Sequence, residues 1–456
     1  MTWSIGLHFG ESVVEFVGRK AEDNDAQIVK SRAFMPQTAP DLAFSQFVAA
    51  NNIEKVSHLK IVSALPLKII EAEHGAPAAV LTTSGFENWM ELSLPIKTPH
   101  FSSMPERQSF LIDREYIFGI SERTNAQGHI EKILDESELE FLVAKLAMHE
   151  IKTVAVCFLH SDKNSENEKR AKAYLEKHGL KVFLSSGSAK STNENHRFWA
   201  AALNAYVNPY FIEKMTALNE EIKKVASDDA QILWGQYKFS DVVEGLVTPL
   251  EAAFSFTNFV NENFAKTTPV LYCGLEDFIF FKPGENTCET WASPVGQVSA
   301  THSPYIKLQN QPLTKLDRGF FSELALTKDK ITYDPGPVVF GRGHTLSLFD
   351  LLTYENSDVE SLTGIAEKMN DRGRSRCKET LSAYARNLSE GDNISYEELT
   401  QSICENAAFS WRNEMGDDDS FILCGPLAPI VKKYFNKKPT GDSFFILNSL
   451  LQGDLK

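Results

Sequence analysis

The sequence predicts a duplicated α/β fold, and three observations support this prediction. A strand, a charged helix and a second strand follow one another over residues 152–184. A strand-turn-strand hairpin opens the chain over residues 4–17, with Gly10 at its turn. A similar hairpin runs over residues 269–281, where Gly274 takes the place of Gly10. Two hairpins of one design, each opening half of the chain, indicate two related α/β halves.

Each of these elements has a local reason. The strands of the first hairpin are rich in β-branched and aromatic residues, which favour extended structure. Residues 152–159 are almost continuously apolar, as expected of a strand covered on both faces. The helix over residues 165–178 carries one apolar stripe and ends before Gly179, which suits a left-handed C-terminal cap. A strand over residues 180–184 completes the unit and implies parallel pairing.

The rest of the chain alternates in the same way. A long helical pattern runs over residues 194–225, in which Pro209 is placed to open a second helix. A further helix over residues 248–264 precedes the second hairpin. The remaining predictions are strands at 59–65, 78–83 and 420–424, a Gly/Pro-rich loop at 334–343, and helices near 358–388 and 396–412.

Composition excludes several functional classes. The chain has 456 residues, of which 43% are apolar and 23% charged, as in an ordinary globular protein. Its 46 basic and 61 acidic residues give a net charge of −15, so we expect neither a nucleic-acid nor a membrane partner. Six scattered cysteines without a C-x-x-C pair argue against structural zinc and disulfides. With no signal-like or membrane-spanning segment, a cytoplasmic protein is expected.

Several segments resemble, in order, motifs of the A-type subunits of hydantoinases, 5-oxoprolinases and related ketone carboxylases. Residues 79–92, AVLTTSGFENWMEL, resemble the TTKGFRDVLEI stretch of that family. Ser121-Glu122-Arg123, followed by Gly128, resembles ERVDADG. The other matches are residues 154–159 with VAVCLLFS, 203–209 with LNAYVxP, 334–343 and Asp350 with DPGPACYGRGG…TD, and 424–427 with GGAGPLH. The likeness runs from residue 5 to about residue 430.

This resemblance implies an actin-like, ribonuclease H-like ATPase fold, with two α/β halves around a central nucleotide cleft. It implies an N-terminal hydantoinase/oxoprolinase-like domain over residues 1–188 and a hydantoinase A-like domain over 189–456 that contains the second half and is C-terminally short. In such enzymes, glycine-rich hairpin loops present backbone N–H groups to the phosphates. An aspartate at the end of the first strand holds Mg²⁺ or its waters.

The phosphate loops of this chain depart from the family pattern. The first loop, IDxGGTxTD in the family, is here residues 7–15, which have His8 for the first aspartate and Glu11 for the second glycine. The second loop, DxGGTSTD, begins here at Tyr272 and keeps only Gly274. The family's SGPAAG loop is replaced by residues 255–257, Ser-Phe-Thr. A carboxylate about 4 Å from a phosphate charge is repelled by about 4 kcal/mol at an effective dielectric near 20, roughly a thousandfold in affinity. We therefore predict that ordinary ATP turnover is lost.

The resemblance and the residue types together define the candidate site. The degenerate nucleotide-binding loops contain Gly10, Glu11, Ser12, Gly274, Glu276, Asp277 and Gly425. The candidates for binding another ligand are His8, Arg342, His344 and Asp350. No catalytic residue and no metal site is predicted, although Glu11, Glu276 or Asp277 could bind a metal instead of repelling phosphate.

Three of these candidates have a competing interpretation, and for His344 it is an exposed loop histidine without a ligand. His8 could serve as a metal ligand or base, but no second ligand follows at a fixed spacing, so a packed histidine is the alternative. The guanidinium of Arg342 suits a carboxylate or phosphate, or else fixes its own loop through Asp334 or Asp350.

Three functional hypotheses remain. The leading hypothesis is a non-catalytic or regulatory subunit of a hydantoinase/oxoprolinase-type complex, whose partner is a B-type subunit or a paralogue and which needs no cofactor. The second is an active ATP- and Mg²⁺-dependent enzyme that opens hydantoin or 5-oxoproline rings or carboxylates ketones. The third is a small-molecule binding protein that uses the old cleft.

Overall fold

The fold is known from a computed structural model. The residues it describes are 2–10, 13–20, 28–34, 39–71, 75–90, 111–189, 191–265, 267–274, 278–281, 288–291, 307–311, 313–317, 338–340, 346, 348–354, 371–388, 395–415, 420–435 and 439–451.

Strands and helices alternate along most of the chain. The strands are β1 (Trp3–Phe9), β2 (Val13–Lys20), β3 (Ile28–Phe34), β4 (Val56–Ser63), β5 (Ala79–Thr83), β6 (Ile117–Ile120), β7 (Arg123–Thr124), β8 (Ile130–Lys132), β9 (Thr153–Cys157), β10 (Lys181–Leu184), β11 (Ala226–Trp234), β12 (Tyr237–Lys238), β13 (Val270–Cys273), β14 (Phe278–Phe281), β15 (Cys288–Trp291), β16 (Lys307–Gln311), β17 (Leu313–Asp317) and β18 (Ile422–Cys424).

The helices are α1 (Pro40–Ala50), α2 (Leu65–Glu71), α3 (Glu136–Met148), α4 (Glu166–Lys177), α5 (Ser185–Ser188), α6 (Glu194–Val225), α7 (Phe239–Val243), α8 (Pro249–Ala252), α9 (Ser255–Asn263), α10 (Leu348–Thr353), α11 (Asp371–Leu388), α12 (Tyr396–Met415), α13 (Ala428–Val431) and α14 (Phe445–Leu450). Short 3₁₀ turns occur at Arg114–Tyr116, Val338–Phe340 and Lys432–Tyr434.

Two sheets repeat one arrangement of strands. In the first sheet, ordered β12-β11-β4-β1-β2-β3, strand β1 pairs antiparallel with β2 and parallel with β4. In the second, ordered β17-β14-β13-β18, strand β13 pairs antiparallel with β14 and parallel with β18. Strands β3 and β17 each continue their sheet antiparallel to the hairpin's second strand. The predicted duplication is thus present in the strand topology.

The third large sheet is the predicted β-α-β unit extended on one side. Its strands lie in the order β10-β9-β5-β6, and all its neighbours are parallel. Helices α3 and α4 pack their apolar stripes on this sheet, with Leu139, Leu142, Ala171 and Leu175 buried. The burial of all five residues of β9 agrees with its continuous apolar sequence.

The structure corrects two of the helix predictions. Helix α6 continues through Pro209 as a single helix of 32 residues. Its side chains on both sides of the proline, Val207 and Phe211, are buried in the same core, and this packing offsets the lost backbone hydrogen bond. The helix predicted over residues 248–264 is divided into α8 and α9, because the carbonyl of Ala252 accepts a 2.8 Å hydrogen bond from the indole of Trp234.

Other predictions fall wholly or partly outside the described residues. Of the loop at 334–343, the structure describes Val338–Phe340, and of the helix near 358–388 it describes Asp371–Leu388. The domain boundary after residue 188 stays a prediction. Strands from both sides of that boundary, β4 and β11, pair in the first sheet.

Hydrophobic clusters join the first sheet to the second half. Val13 packs in a buried cluster with Leu271 and Leu427, and Val17 and Val62 pack in another with Tyr272. Helix α14 contacts β1 closely, since a side chain at Gly6 would lie 3.0 Å from Cβ of Leu450. The two hairpins are therefore held against one another by apolar packing as well as by the polar contacts described next.

Candidate functional site

The two hairpins bring equivalent positions face to face. His8 and Tyr272 each stand two residues before their hairpin glycine, on β1 and β13. The hydroxyl of Tyr272 lies 3.4 Å from Nδ1 of His8, and the two rings meet edge to face at 5.5 Å. Both side chains are buried, with 3% and 5% of their surface exposed. The two positions where the family pattern has aspartates thus carry an imidazole and a phenol in mutual contact.

A buried carboxylate lies at the centre of this contact. Glu15 is entirely buried, and its Oε2 is 2.9 Å from Nδ1 of His8 and accepts a 3.0 Å hydrogen bond from Tyr272. Its Oε1 accepts a 2.6 Å hydrogen bond from Nε of Arg32. His8 is the cross-strand neighbour of Glu15, which is in turn the neighbour of Arg32. The register of three strands therefore places these side chains in one row on one face of the sheet. We call His8, Glu15, Arg32 and Tyr272 the hairpin cluster.

The charges of the hairpin cluster are set by this packing. Burial raises the pKa of Glu15, but the Arg32 guanidinium and the hydrogen bond to His8 outweigh it and lower the pKa to about 2. Burial and the neighbouring Glu15 raise the pKa of the Tyr272 phenol well above its usual range. At neutral pH Glu15 is therefore ionised and paired with Arg32. Tyr272 keeps its proton and donates a hydrogen bond to Glu15.

Aromatic rings enclose the hairpin cluster on two sides. Phe256, at the start of α9, stacks on His8 with ring centroids 4.2 Å apart and touches Tyr272 at 5.1 Å. The guanidinium of Arg32 lies 3.7 Å from the ring centroid of Phe444 and donates a 2.7 Å hydrogen bond to the carbonyl of Ser443. The cluster is thus a buried assembly in which Glu15 pairs with Arg32, and residues of α9 and the segment before α14 pack around it.

The predicted site glycines lie at turns or at places where two backbone segments come close. The N–H of Gly10 donates a 2.9 Å hydrogen bond to the carbonyl of Val13, which closes the first hairpin. Gly425 has a φ of +96°, and a side chain there would come within 2.5 Å of the carbonyl oxygen of Cys273. Gly274, which follows Cys273 directly, is buried. Gly10 and Gly425 thus lie against the chain's own backbone.

The other predicted residues are distributed unevenly. Asp350, on α10, is buried and accepts a 2.7 Å hydrogen bond from the N–H of Val339. It thereby fixes the 3₁₀ turn Val338–Phe340 against α10. The predicted site residues Glu11, Ser12, Glu276, Asp277, Arg342 and His344 lie outside the described residues. The ligand-binding roles of the candidate residues stay predictions.

Sequence reasoning missed Glu15, Arg32, Phe256 and Tyr272 as site residues. The register of a three-stranded meander could have pointed to Arg32, because it lies opposite Glu15. Tyr272 could have been found by superposing the two hairpins, since it takes the place of His8. Nothing in the local sequence indicates that Phe256 packs against His8.

A second polar cluster lies at the carboxyl ends of the parallel sheet. Glu122 accepts hydrogen bonds from Thr83 and, at 2.8 Å, from Asn167, while Asn167 also bonds the backbone of Lys132 and Leu134. Nearby, Glu168 accepts a 2.6 Å hydrogen bond from Ser185. Burial raises the pKa of both glutamates. Because these buried polar groups form hydrogen bonds with one another, the cluster connects the ends of the strands of the parallel sheet.

Two open cavities lie between helices of the C-terminal part. One, of about 400 Å³, is lined by residues of α10, α12 and the Lys432–Tyr434 turn. The other, of about 560 Å³, lies beside Tyr354 and the start of α11. Neither is lined by a residue of the hairpin cluster. In the described ranges there is no group of three His, Cys, Asp or Glu side chains placed to hold a metal ion, and none of the described helices could span a bilayer.

Comparisons with known proteins agree with this architecture. Residues 25–179 match the family described as hydantoinase/oxoprolinase N-terminal region. An uncharacterized protein of Methanocaldococcus jannaschii is 25% identical over 218 residues, which cover 46% of this chain and 32% of that protein. The chain thus spans about a third of the length of the curated relative it matches.

Two solved structures resemble the whole described fold. A nucleotide-free structure of acetone carboxylase superposes with a TM-score of 0.63 at 16% identity, covering 94% of this chain and 66% of that one. The ATP-dependent caprolactamase from Pseudomonas jessenii superposes with a TM-score of 0.59 at 16% identity, covering 99% of this chain and 67% of that one.

The duplicated hairpin sheets and these neighbours define the class: an α/β protein with an actin-like ATPase-type fold, as predicted. The predicted resemblance is also confirmed, because residues 25–179 match the model of the hydantoinase/oxoprolinase N-terminal region.

Proposed function

We propose that this protein is a hydantoinase/oxoprolinase-type protein that does not turn over ATP and that acts as a non-catalytic or regulatory subunit. One observation carries the proposal: the contact of His8 and Tyr272 with Glu15 at the positions of the phosphate loops. His8 and Tyr272 stand at positions where the family resemblance leads us to expect aspartates, whereas Glu15 keeps an acid at its position.

The described residues do not fit a magnesium nucleotide. Mg²⁺ prefers carboxylate and water oxygens in an open octahedral arrangement. Both oxygens of Glu15 already accept hydrogen bonds, one from Arg32 and one from Tyr272. Phe256 fills the space beside His8 with a stacked ring. Binding a triphosphate there would require breaking a buried, paired charge, which is costly.

A nucleotide titration tests this part of the proposal. Calorimetry of the full chain with MgATP, and with ATP alone, is expected to give no saturable binding below about millimolar. The caprolactamase from Pseudomonas jessenii, measured in the same buffer, is the positive control. A micromolar dissociation constant for this chain would overturn the proposal. Phosphate release that depends on hydantoin, 5-oxoproline or a ketone would favour the active alternative.

The proposed partner is a B-type subunit of a hydantoinase/oxoprolinase-type complex. An exposed apolar strip on and beside α3 supports an interaction of this kind. Phe141 and Met148 are seven residues apart on one face of the helix and are 77% and 82% exposed, and Ile133 is 57% exposed. Large apolar side chains grouped on one exposed face are typical of protein interfaces.

Co-expression with a B-type subunit of a hydantoinase/oxoprolinase-type complex tests the partner. We expect a stoichiometric complex on size exclusion that Phe141→Asp disrupts. Phe409→Asp, which changes a residue 59% exposed on α12, is the control for loss of apolar surface elsewhere. Absence of the complex with the unmodified chain would count against this partner.

A further inference from the structure

We infer that the hairpin cluster holds the two α/β halves in one closed arrangement without any ligand. The inference rests on the proposed function, because the cluster occupies the site where a nucleotide is expected to join the halves. It goes further in assigning these side chains a mechanical role: they join the halves in place of a bound nucleotide.

The bonds that carry the inference span large sequence distances. Tyr272 donates to Glu15 across 257 residues, and Arg32 donates to the carbonyl of Ser443 across 411 residues. A third link is made between Ser63 and Ser255, where the N–H of Ser63 donates to the Ser255 hydroxyl and that hydroxyl donates back to the Ser63 carbonyl, at 2.8 and 3.0 Å. Each link joins an element of the first sheet to an element of the second half.

Separation of the halves would break these links together. Moving β13 and α9 away from β1 would remove the phenol from Glu15 and unstack Phe256 from His8. It would also expose Val13 and Val17, which are buried in clusters formed with the second half. A buried charge that loses its hydrogen-bond partners destabilises the protein. The open state is therefore disfavoured both by the lost hydrogen bonds and by the exposed apolar side chains. The closed state is therefore the resting state, whatever nucleotide is present.

Hydrogen exchange measured by mass spectrometry tests the inference on the full chain. Peptides covering β1–β2 and β13–β14 are expected to exchange equally with and without 5 mM MgATP, a concentration of about this order saturating a millimolar site. Tyr272→Phe keeps the ring and removes its hydroxyl, so both hairpins are expected to exchange about tenfold faster, as for loss of one hydrogen bond to a charged group. Peptides of the parallel sheet, β9 and β10, are expected to stay unchanged.

Tyr116→Phe is the matched control, because it removes an exposed tyrosine hydroxyl that lies 3.2 Å from His149 and outside the hairpin cluster. It is expected to leave both hairpins unchanged. Unaltered hairpin exchange in Tyr272→Phe would overturn the inference, and so would faster or slower exchange of the unmodified chain on adding MgATP.

The two proposals fail separately. Calorimetric binding of MgATP without a change in hairpin exchange would remove the proposed loss of nucleotide binding and leave the closed arrangement intact. If MgATP does not bind and Tyr272→Phe leaves the hairpin exchange unaltered, the closed arrangement is overturned and the proposed loss of nucleotide binding stands.

Discussion

The hydroxyl of Tyr272 donates a 3.0 Å hydrogen bond to Oε2 of Glu15, although 257 residues separate them in the sequence. Glu15 is wholly buried and also accepts from Arg32, so this carboxylate joins three segments of the chain. In a protein interior such a charge persists only because its partners are present. Its removal is therefore the most direct way to measure what the hairpin cluster contributes.

Glu15→Gln is expected to lower the free energy of unfolding by about 3 kcal/mol, because it removes the buried carboxylate that pairs with the guanidinium of Arg32. Urea unfolding followed by circular dichroism measures the change. Glu220→Gln is the control, since Glu220 pairs with Lys223 on the surface, where both side chains are 61% exposed, and the expected change is under about 0.5 kcal/mol. A loss of less than about 1 kcal/mol for Glu15→Gln would contradict the expectation.

The stability contributed by Glu15 is expected to depend on pH in one direction. Its folded pKa is lowered from 4.5 to about 2, so its contribution is complete above pH 4.5 and is lost as the pH falls toward 2. The difference in unfolding free energy between the unmodified chain and Glu15→Gln should shrink across this window by roughly 3 kcal/mol. Glu122 and Glu168, whose pKa values are raised, act in the opposite sense but are common to both proteins. A pH-independent difference would show that Glu15 does not titrate as described.

Asn167→Ala is expected to destabilise the parallel sheet by about 2 kcal/mol. The substitution removes the donor to Glu122 and the acceptor for the N–H of Leu134, and both of these groups are buried. Lys169→Ala, at an exposed position of the same helix α4, is the control and should change stability by under about 0.5 kcal/mol. Equal effects of the two substitutions would mean that the second polar cluster contributes little to stability.

Gly425→Ala is expected to cost about 3 kcal/mol, because a methyl group there collides with the backbone of Cys273 in addition to the left-handed strain. Gly179→Ala separates the two causes. Gly179 has a φ of +80° but nothing within 4 Å of an added Cβ. Gly179→Ala is therefore expected to lower the free energy of unfolding by about 1 kcal/mol, from the left-handed backbone strain alone. Thermal unfolding of the two variants, compared with the unmodified chain, measures the difference.

The sequence was most informative where structure is local. The hairpin over β1 and β2, the β9-α4-β10 unit and the second hairpin all follow from alternation, apolar runs and a glycine after a helix. Helix α6 shows the limit of this reasoning: Pro209 predicts a break, but packing on both sides of it keeps the helix whole.

The candidate site was less predictable because its contacts are not local. His8 could be singled out from the first loop. Its contact with Tyr272, and the bonds of Glu15 to Arg32 and Tyr272, depend on strand register and on the approach of a second sheet. Phe256 likewise reaches His8 only through the placement of α9 after the divided helix. Such relationships depend on tertiary geometry that no window of sequence contains.

The contact of α14 with β1 has a consequence for synthesis on the ribosome. Gly6 leaves room for Leu447 and Leu450, and the carbonyl of Ser443 accepts a hydrogen bond from Arg32. The strands β1 and β3 therefore gain these neighbours from a stretch translated more than four hundred codons later. Until that stretch is made, the nascent amino-terminal strands present uncovered apolar surface and a guanidinium lacking one acceptor. Chaperone protection of these strands is therefore expected to last until residues 443–450 have been made.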